Sequence, residues 1–195
     1  MKKFFLVAFF AIFLAAIPIR TLADSVSIQP STESVSVGNS FTLNVDITSV
    51  TDLYDFQFDI GFNPYVLSVT GITEGSFLPG GGSTFFIPGA IDNVSGSIAF
   101  NADTLLGPGP GVNGSGTLLT VDFTAIGSGS SDVTLANLIF QDSTGDSIGL
   151  SATNGTVNVT GLSTVPEPST LLTIGAGLVF LVLLKRRNNN AVIPQ

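Results

Sequence analysis

From Asp24 onward, apolar and polar residues alternate in short runs between turn signals, and no helical period appears before the C-terminal segment. Val26 and Ile28 alternate ahead of Pro30-Ser31-Thr32, and Val35 and Val37 alternate ahead of Gly38-Asn39. Phe41, Leu43, Val45 and Ile47 fall on one side of an extended chain, with Thr42, Asn44 and Asp46 on the other. That period of two is the signature of a half-buried strand. The strongest alternation runs from Leu53 to Phe62. Tyr54, Phe56, Phe58, Ile60 and Phe62 share one face, and Asp55, Gln57, Asp59 and Gly61 share the other. The aromatic side should supply much of the core, because each ring buries a large apolar area.

Asn63-Pro64 ends this strand, and Val66–Ile72 begins the next. A glycine-rich stretch from Gly75 leads to a short edge strand at Thr84–Ile87, which Pro88 stops. A Ser95-Gly96 turn precedes a strand at Ser97–Ala102, and Leu106–Gly116 reads as a surface loop. Leu119, Val121, Phe123 and Ala125 alternate again. Val133 and Leu135 are out of phase by one with Leu138 and Phe140, which predicts a β-bulge near Asn137. Asp142–Asp146 forms a turn, Ile148–Leu150 a short strand, and Val157 and Val159 close the series. Nine or ten strands without a helix predict an all-β fold, an antiparallel β-sandwich. Periodicity leaves immunoglobulin-like and jelly-roll topologies both open.

The two ends follow different patterns. Lys2 and Lys3 precede the apolar run Phe4–Ile19, and Thr21-Leu22-Ala23 offers a small residue for cleavage. Residues 1–23 are therefore expected to be a signal peptide, with Asp24 as the new N-terminus. Near the other end stand Val165, Pro166, Glu167 and Pro168, then the apolar run Leu171–Leu184, then Lys185, Arg186 and Arg187. The prolines keep Val165 and Glu167 extended. The run is expected to form a transmembrane helix at 171–184, with the basic stop at 185–187 on the cytoplasmic side. It is short: fourteen residues reach ~21 Å against a hydrocarbon core of ~30 Å.

Motif, helix and basic stop in this order closely resemble the PEP-CTERM sorting signal. The resemblance implies that an exosortase processes the chain near 165–168, after an inner-membrane intermediate. It also implies delivery to the cell surface or extracellular matrix of a Gram-negative bacterium. The tail 188–195 is longer than is usual after the arginines. The expected division is thus 1–23, a domain at 24–160, a linker at 161–164, the sorting signal at 165–187 and the tail.

Charge sharpens the picture of the domain. All six Lys and Arg residues lie in the two terminal segments. Residues 24–164 carry thirteen carboxylates and no side-chain cation, so no internal salt bridge can form and nucleic acid is excluded as a partner. The chain has no Cys and no His, which removes disulfides, imidazole bases and Ser–His or Cys–His catalysis. No cofactor is indicated.

A second resemblance rests on Val35-x-Val37-Gly38-x-x-Phe41-Thr42-Leu43, on Leu53-Tyr54-Asp55-Phe56-Gln57-Phe58-Asp59-Ile60-x-Phe62-Asn63-Pro64, and on Gly116-Thr117-Leu118-x-x-Val121-x-Phe123. These segments look like a cohesin domain over about residues 25–159. The resemblance implies a nine-stranded jelly-roll sandwich, close to some carbohydrate-binding modules, with recognition on one sheet's exposed face. It points to a dockerin-like protein or a polysaccharide as partner.

Asp55, Gln57 and Asp59 are the candidate partner surface, against the alternative of an ordinary solvated strand face. Asp55 and Asp59 are ~13 Å apart along a strand, too far for a glycosidase pair. Asp142 and Asp146 offer too few ligands for a calcium loop, so no metal site is expected. Phe77, Phe85 and Phe86 are either an aromatic platform for sugars or core and edge packing. The readings that follow are a non-catalytic exported binding protein, an acidic matrix or biofilm protein without a specific ligand, and a hydrolase using carboxylates alone.

Overall fold

One strand, β3 (Ser40–Gly61), joins the two layers of the molecule. In the computed structural model, which describes residues 24–161 and 170–189, it runs for 22 residues without a break. The sequence pattern predicts two strands here. They are continuous because Ser49 and Asp52 take left-handed backbone conformations, with φ of 59° and 58°, and shift the register instead of ending the pairing. Each shift bends and twists the strand.

The other strands are β1 (Ser25–Gln29), β2 (Thr32–Ser36), β4 (Leu67–Glu74), β5 (Ala90–Asp92), β6 (Ser97–Thr104), β7 (Val112–Ala125), β8 (Gly129–Asp142), β9 (Ser151–Thr153) and β10 (Gly155–Thr160). The first half of β3 pairs with β1 and β7, giving the layer β9-β1-β3-β7-β4. The second half pairs with β6 and β8, giving the layer β5-β6-β3-β8-β10-β2. The all-β sandwich therefore stands, with ten strands among the described residues instead of nine.

The inner faces hold the expected apolar residues. Leu43, Val45 and Ile47 are buried from one layer, and Phe56, Phe58 and Ile60 from the other. Phe56 and Phe58 stack at 5.5 Å, and each lies 6.3 Å from Phe140 of β8. Phe62 meets Phe123 of β7 edge-on at 5.7 Å, which ties the layers together. Each buried side chain of this size stabilises the fold by ~1.5–3 kcal/mol, and a good ring pair adds ~0.5–1.5 kcal/mol. With no cation in the domain, packing and backbone pairing carry the stability.

Three local expectations change. The loop at 106–116 is shorter, because β7 already begins at Val112. The short strand expected at 148–150 forms at Ser151–Thr153. Thr84 and Ile87 make only isolated bridges, to Leu105 and Ala102, along the free edge of β6. The bulge at Asn137 is present, with φ of 51° and a register shift between Gln57 and Asp59.

A helix, α1, spans Thr170–Asn189. Ile174 to Arg186, including Lys185 and Arg186 of the basic stop, are exposed. α1 covers the apolar run expected at 171–184, and no described helix is long and apolar enough to cross a membrane. The basic stop falls inside the same helix as the apolar run. The signal peptide and the motif residues Val165, Pro166, Glu167 and Pro168 lie outside the described residues.

Candidate partner-binding face

The outer surface of the second layer carries Asp55, Gln57 and Asp59, as the alternation predicts. Their cross-strand neighbours decide what that surface is. Gln57 stands opposite Ala102 of β6 and Ile139 of β8. Asp55 stands opposite Thr104 and Gln141. Residues directly opposite in antiparallel strands share a face. Ile139 is therefore presented beside Gln57, and it is 45 % exposed. Phe100 is 50 % exposed and Phe85 59 % exposed. Asp55, Gln57, Phe85, Ile87, Ala102 and Ile139 surround a shallow depression of about 340 Å³. Burial of the Asp55 carboxyl raises its pKa above the usual 3.8.

The three predicted residues are not equivalent. Asp59 is already occupied by the fold. Its Oδ1 accepts from the Phe100 N–H at 2.7 Å, and its Oδ2 accepts from Asn137 Nδ2 at 2.5 Å. Phe100 and Asn137 are the bulged residues of the two flanking strands, with φ of 61° and 51°. Asp59 thus holds a bulge on either side, leaving Asp55 and Gln57 as the polar groups free for a partner.

The bulge at Phe100 reverses the phase of β6. Ile98 points inward, yet two positions of alternation later it is Asn101 and Asp103 that are buried, while Phe100 faces out. Asn101 is 0 % exposed and fully bonded: Nδ2 donates to the carbonyls of Phe58 and Ile98, and Oδ1 accepts from the Gly89 N–H. Asp103 is 2 % exposed. Its Oδ1 accepts from the Thr104 N–H at 2.9 Å, and its Oδ2 has no donor. Burial, and then the Glu74 carboxylate beside it, push its pKa up to about 7. Sequence patterning missed Phe100, Ile139 and Asp103. An Asn inside the predicted strand at 97–102, and an Asp just past its end, were the available signal.

The remaining candidates resolve into structural roles. Phe77 is buried in the core, Phe86 is partly buried against it, and only Phe85 is exposed, so there is no three-ring platform. Asp142 accepts from the Thr144 hydroxyl and from the N–H groups of Thr144 and Asp146, which closes the turn and lowers its pKa. Among the described residues, no group of three or more acidic side chains is arranged to hold a metal ion. Asp52, which the sequence did not flag, receives Ser143 Oγ at 2.7 Å and the Gly111 N–H at 2.5 Å. It pins two loops to the bend in β3.

A family model for the cohesin domain matches residues 26–159, and the chain belongs to that family. A second model, the PEP-CTERM protein-sorting motif, matches residues 164–187. That motif implies export and membrane-associated processing in a Gram-negative bacterium. No curated protein matches the chain. Among solved structures it is similar to a non-cellulosomal cohesin from the archaeon Archaeoglobus fulgidus, at 18% identity and a TM-score of 0.59. That match covers 72% of this chain and 94% of the other. The sixth cohesin of scaffoldin B from Acetivibrio cellulolyticus, solved in complex with the Cel5 dockerin, matches at 18% identity and a TM-score of 0.58, covering 71% and 99%. The OlpC cohesin of Clostridium thermocellum, solved with dockerin Doc435, matches at 13% identity and 0.59, covering 72% and 95%. At these identities the structural likeness establishes the fold.

Proposed function

We propose that this chain is a non-catalytic, exported binding protein whose cohesin module holds a dockerin-like protein on the outer face of β5-β6-β3-β8. The observation that carries this reading is the exposed pair Phe85 and Ile139 set around Asp55 and Gln57, with the exposed Phe100 next to Asp59. An apolar patch with a few polar groups at its centre suits a protein surface that brings one apolar anchor and hydrogen-bond donors. With thirteen carboxylates and no cation in the domain, the partner's rim is expected to carry Lys or Arg. Exosortase processing at Val165–Pro168 would place the module at the cell surface or in the extracellular matrix.

Calorimetric titration of the full chain with purified dockerins and with soluble polysaccharides tests this. Saturable binding of a dockerin, weakened at least tenfold by Ile139→Asp and less by Gln57→Ala, supports the proposal. Saturable binding of a polysaccharide alone would replace the protein partner with a glycan. The second reading is an acidic matrix protein, favoured by the concentration of carboxylates. Salt- and calcium-dependent assembly without saturable binding supports it and removes the first.

A further inference from the structure

We propose that Glu74 and Asp103 share one proton, and that this shared proton fastens the edge segment 84–87 that walls the candidate partner face. The inference adds regulation to the partner-face reading and rests on it only for its biological consequence.

Asp103 is the anomaly among the buried polar groups. The other two, Asn101 and Ser131, are hydrogen-bonded to backbone partners. Asp103 is as deeply buried, yet Oδ2 has no donor. A buried acceptor left unmade is costly. The Glu74 carboxyl of β4 lies beside it, held at this end of β6 by Thr84, which bridges to Leu105. Asp103 is 2 % exposed, and a carboxylate buried that deeply beside a second one does not readily ionise with it. One proton between them supplies the missing donor, and the remaining charge is spread over the pair.

Nothing else in the domain can neutralise them. β4 presents Glu74. The segment 78–87 presents Thr84 and no ionisable group. β7 faces this end with Thr117 and Leu118, and β3 with Tyr54, whose hydroxyl donates to the Gly107 carbonyl. Asp55 lies on the opposite, outer side of the sheet. No Lys, Arg or His occurs between residues 21 and 184.

The pair sits where three parts of the fold meet. Glu74 belongs to one layer and Asp103 to the other. Thr84 Oγ1 donates to Glu74 Oε1, which anchors the start of the edge segment. From there the Phe85 N–H donates to the Thr104 carbonyl and the Ile87 N–H to the Ala102 carbonyl, both at 2.8 Å. Phe85 and Ile87 then line the depression with Asp55 and Gln57. Loss of the proton puts two charges in contact at the anchor. The segment has only isolated bridges to resist that repulsion. The face is therefore complete at acidic pH and loses its Phe85 wall at alkaline pH.

Amide hydrogen exchange on the full chain, at pH 5.5, 7 and 8.5 and corrected for intrinsic rates, tests the proposal without any partner. Protection at Phe85 and Ile87 is expected to fall at least tenfold between pH 5.5 and 8.5, while Phe58 stays protected. Asp103→Asn supplies an amide donor at every pH and should abolish the fall. Protection at Phe85 and Ile87 that is equal across pH in the wild type overturns the proposal, as does an equal fall in Asp103→Asn. If that variant does not fold, Glu74→Gln replaces it with the same expectation. Carboxyl carbon NMR of the wild type gives an independent reading: a midpoint near 7 for Asp103 supports the shared proton, and an ordinary carboxylate midpoint for Asp103 overturns it.

Discussion

Asn137 donates its side-chain amide to Asp59 across the β3–β8 pairing at 2.5 Å, and the same carboxylate takes the Phe100 N–H on its other side. One side chain therefore holds two left-handed bulges on two different strands. Each bulge re-aims its neighbours: the one at Asn137 turns Ile139 outward, and the one at Phe100 turns Asp103 inward. Asp59→Ala is expected to cost about 1–3 kcal/mol, the range for losing a charged hydrogen-bond partner. Chemical denaturation reads it as a lower midpoint with an unchanged slope. Asn137→Val should cost a similar amount through backbone strain, whereas Asn137→Gly relieves that strain while losing the bond.

The ring stack at the centre of β3 should be the least tolerant part of the core. Phe58 is 0 % exposed and lies against both Phe56 and Phe140. Phe58→Ala is expected to cost about 3–5 kcal/mol, because the cavity cannot collapse between two fixed rings. A fall in the thermal midpoint several times that of Phe85→Ala, at an exposed ring, is the check.

Stability should peak at mildly acidic pH. Asp103 has a pKa of about 7 in the folded chain against an ordinary 3.8. Between those values the folded state binds the extra proton, so stability falls as pH rises from about 4 to about 7 and is level above. Asp52, Asp92 and Asp142 are shifted the other way, chiefly by the hydroxyls of Ser143, Ser95 and Thr144. Their contribution is complete above 3.8 and is lost as pH drops below it. Thermal unfolding across pH 3 to 9 should trace both slopes, and Asp103→Asn should flatten only the upper one.

Gly75 has no room for a side chain. A Cβ there would stand 2.1 Å from the Thr117 carbonyl oxygen, which is backbone and cannot swing away. Gly75→Ala is expected to open the end of the β4–β7 pairing and to cost on the order of 2 kcal/mol or more. Gly80→Ala, with nothing within 4 Å, is the matched control and should change the midpoint little.

The strands with unbroken alternation were legible, and so was one irregularity. Val133, Leu135, Leu138 and Phe140 cannot share a face without an extra residue, and the bulge sits where that phase slip puts it. The bulge at Phe100 was not legible. In Ile98-Ala99-Phe100-Asn101-Ala102-Asp103, an ordinary strand would turn Phe100 inward with Ile98. The observed phase exposes the ring and buries an amide and a carboxyl, against transfer energies, and it holds only because Asp59 and Asn101 satisfy the backbone around it. Local preference and fold disagree most at the wall of the candidate face, where function is expected to strain the pattern. Asp59 was read correctly as an outward polar residue and incompletely as to use, since its partners come from strands far away in sequence.

The place where the chain leaves the sandwich has a mechanical consequence. β10, the last strand before Gly161, is not an edge. It pairs with β2 in parallel over Thr156–Thr160 and with β8 in antiparallel over Gly155–Val159. A load transmitted through Gly161 along the strand axis would shear both ladders together instead of unzipping one bond at a time. A module attached at that end, and pulled by whatever it holds, would resist detachment of its last strand with the hydrogen bonds of two neighbours acting in concert.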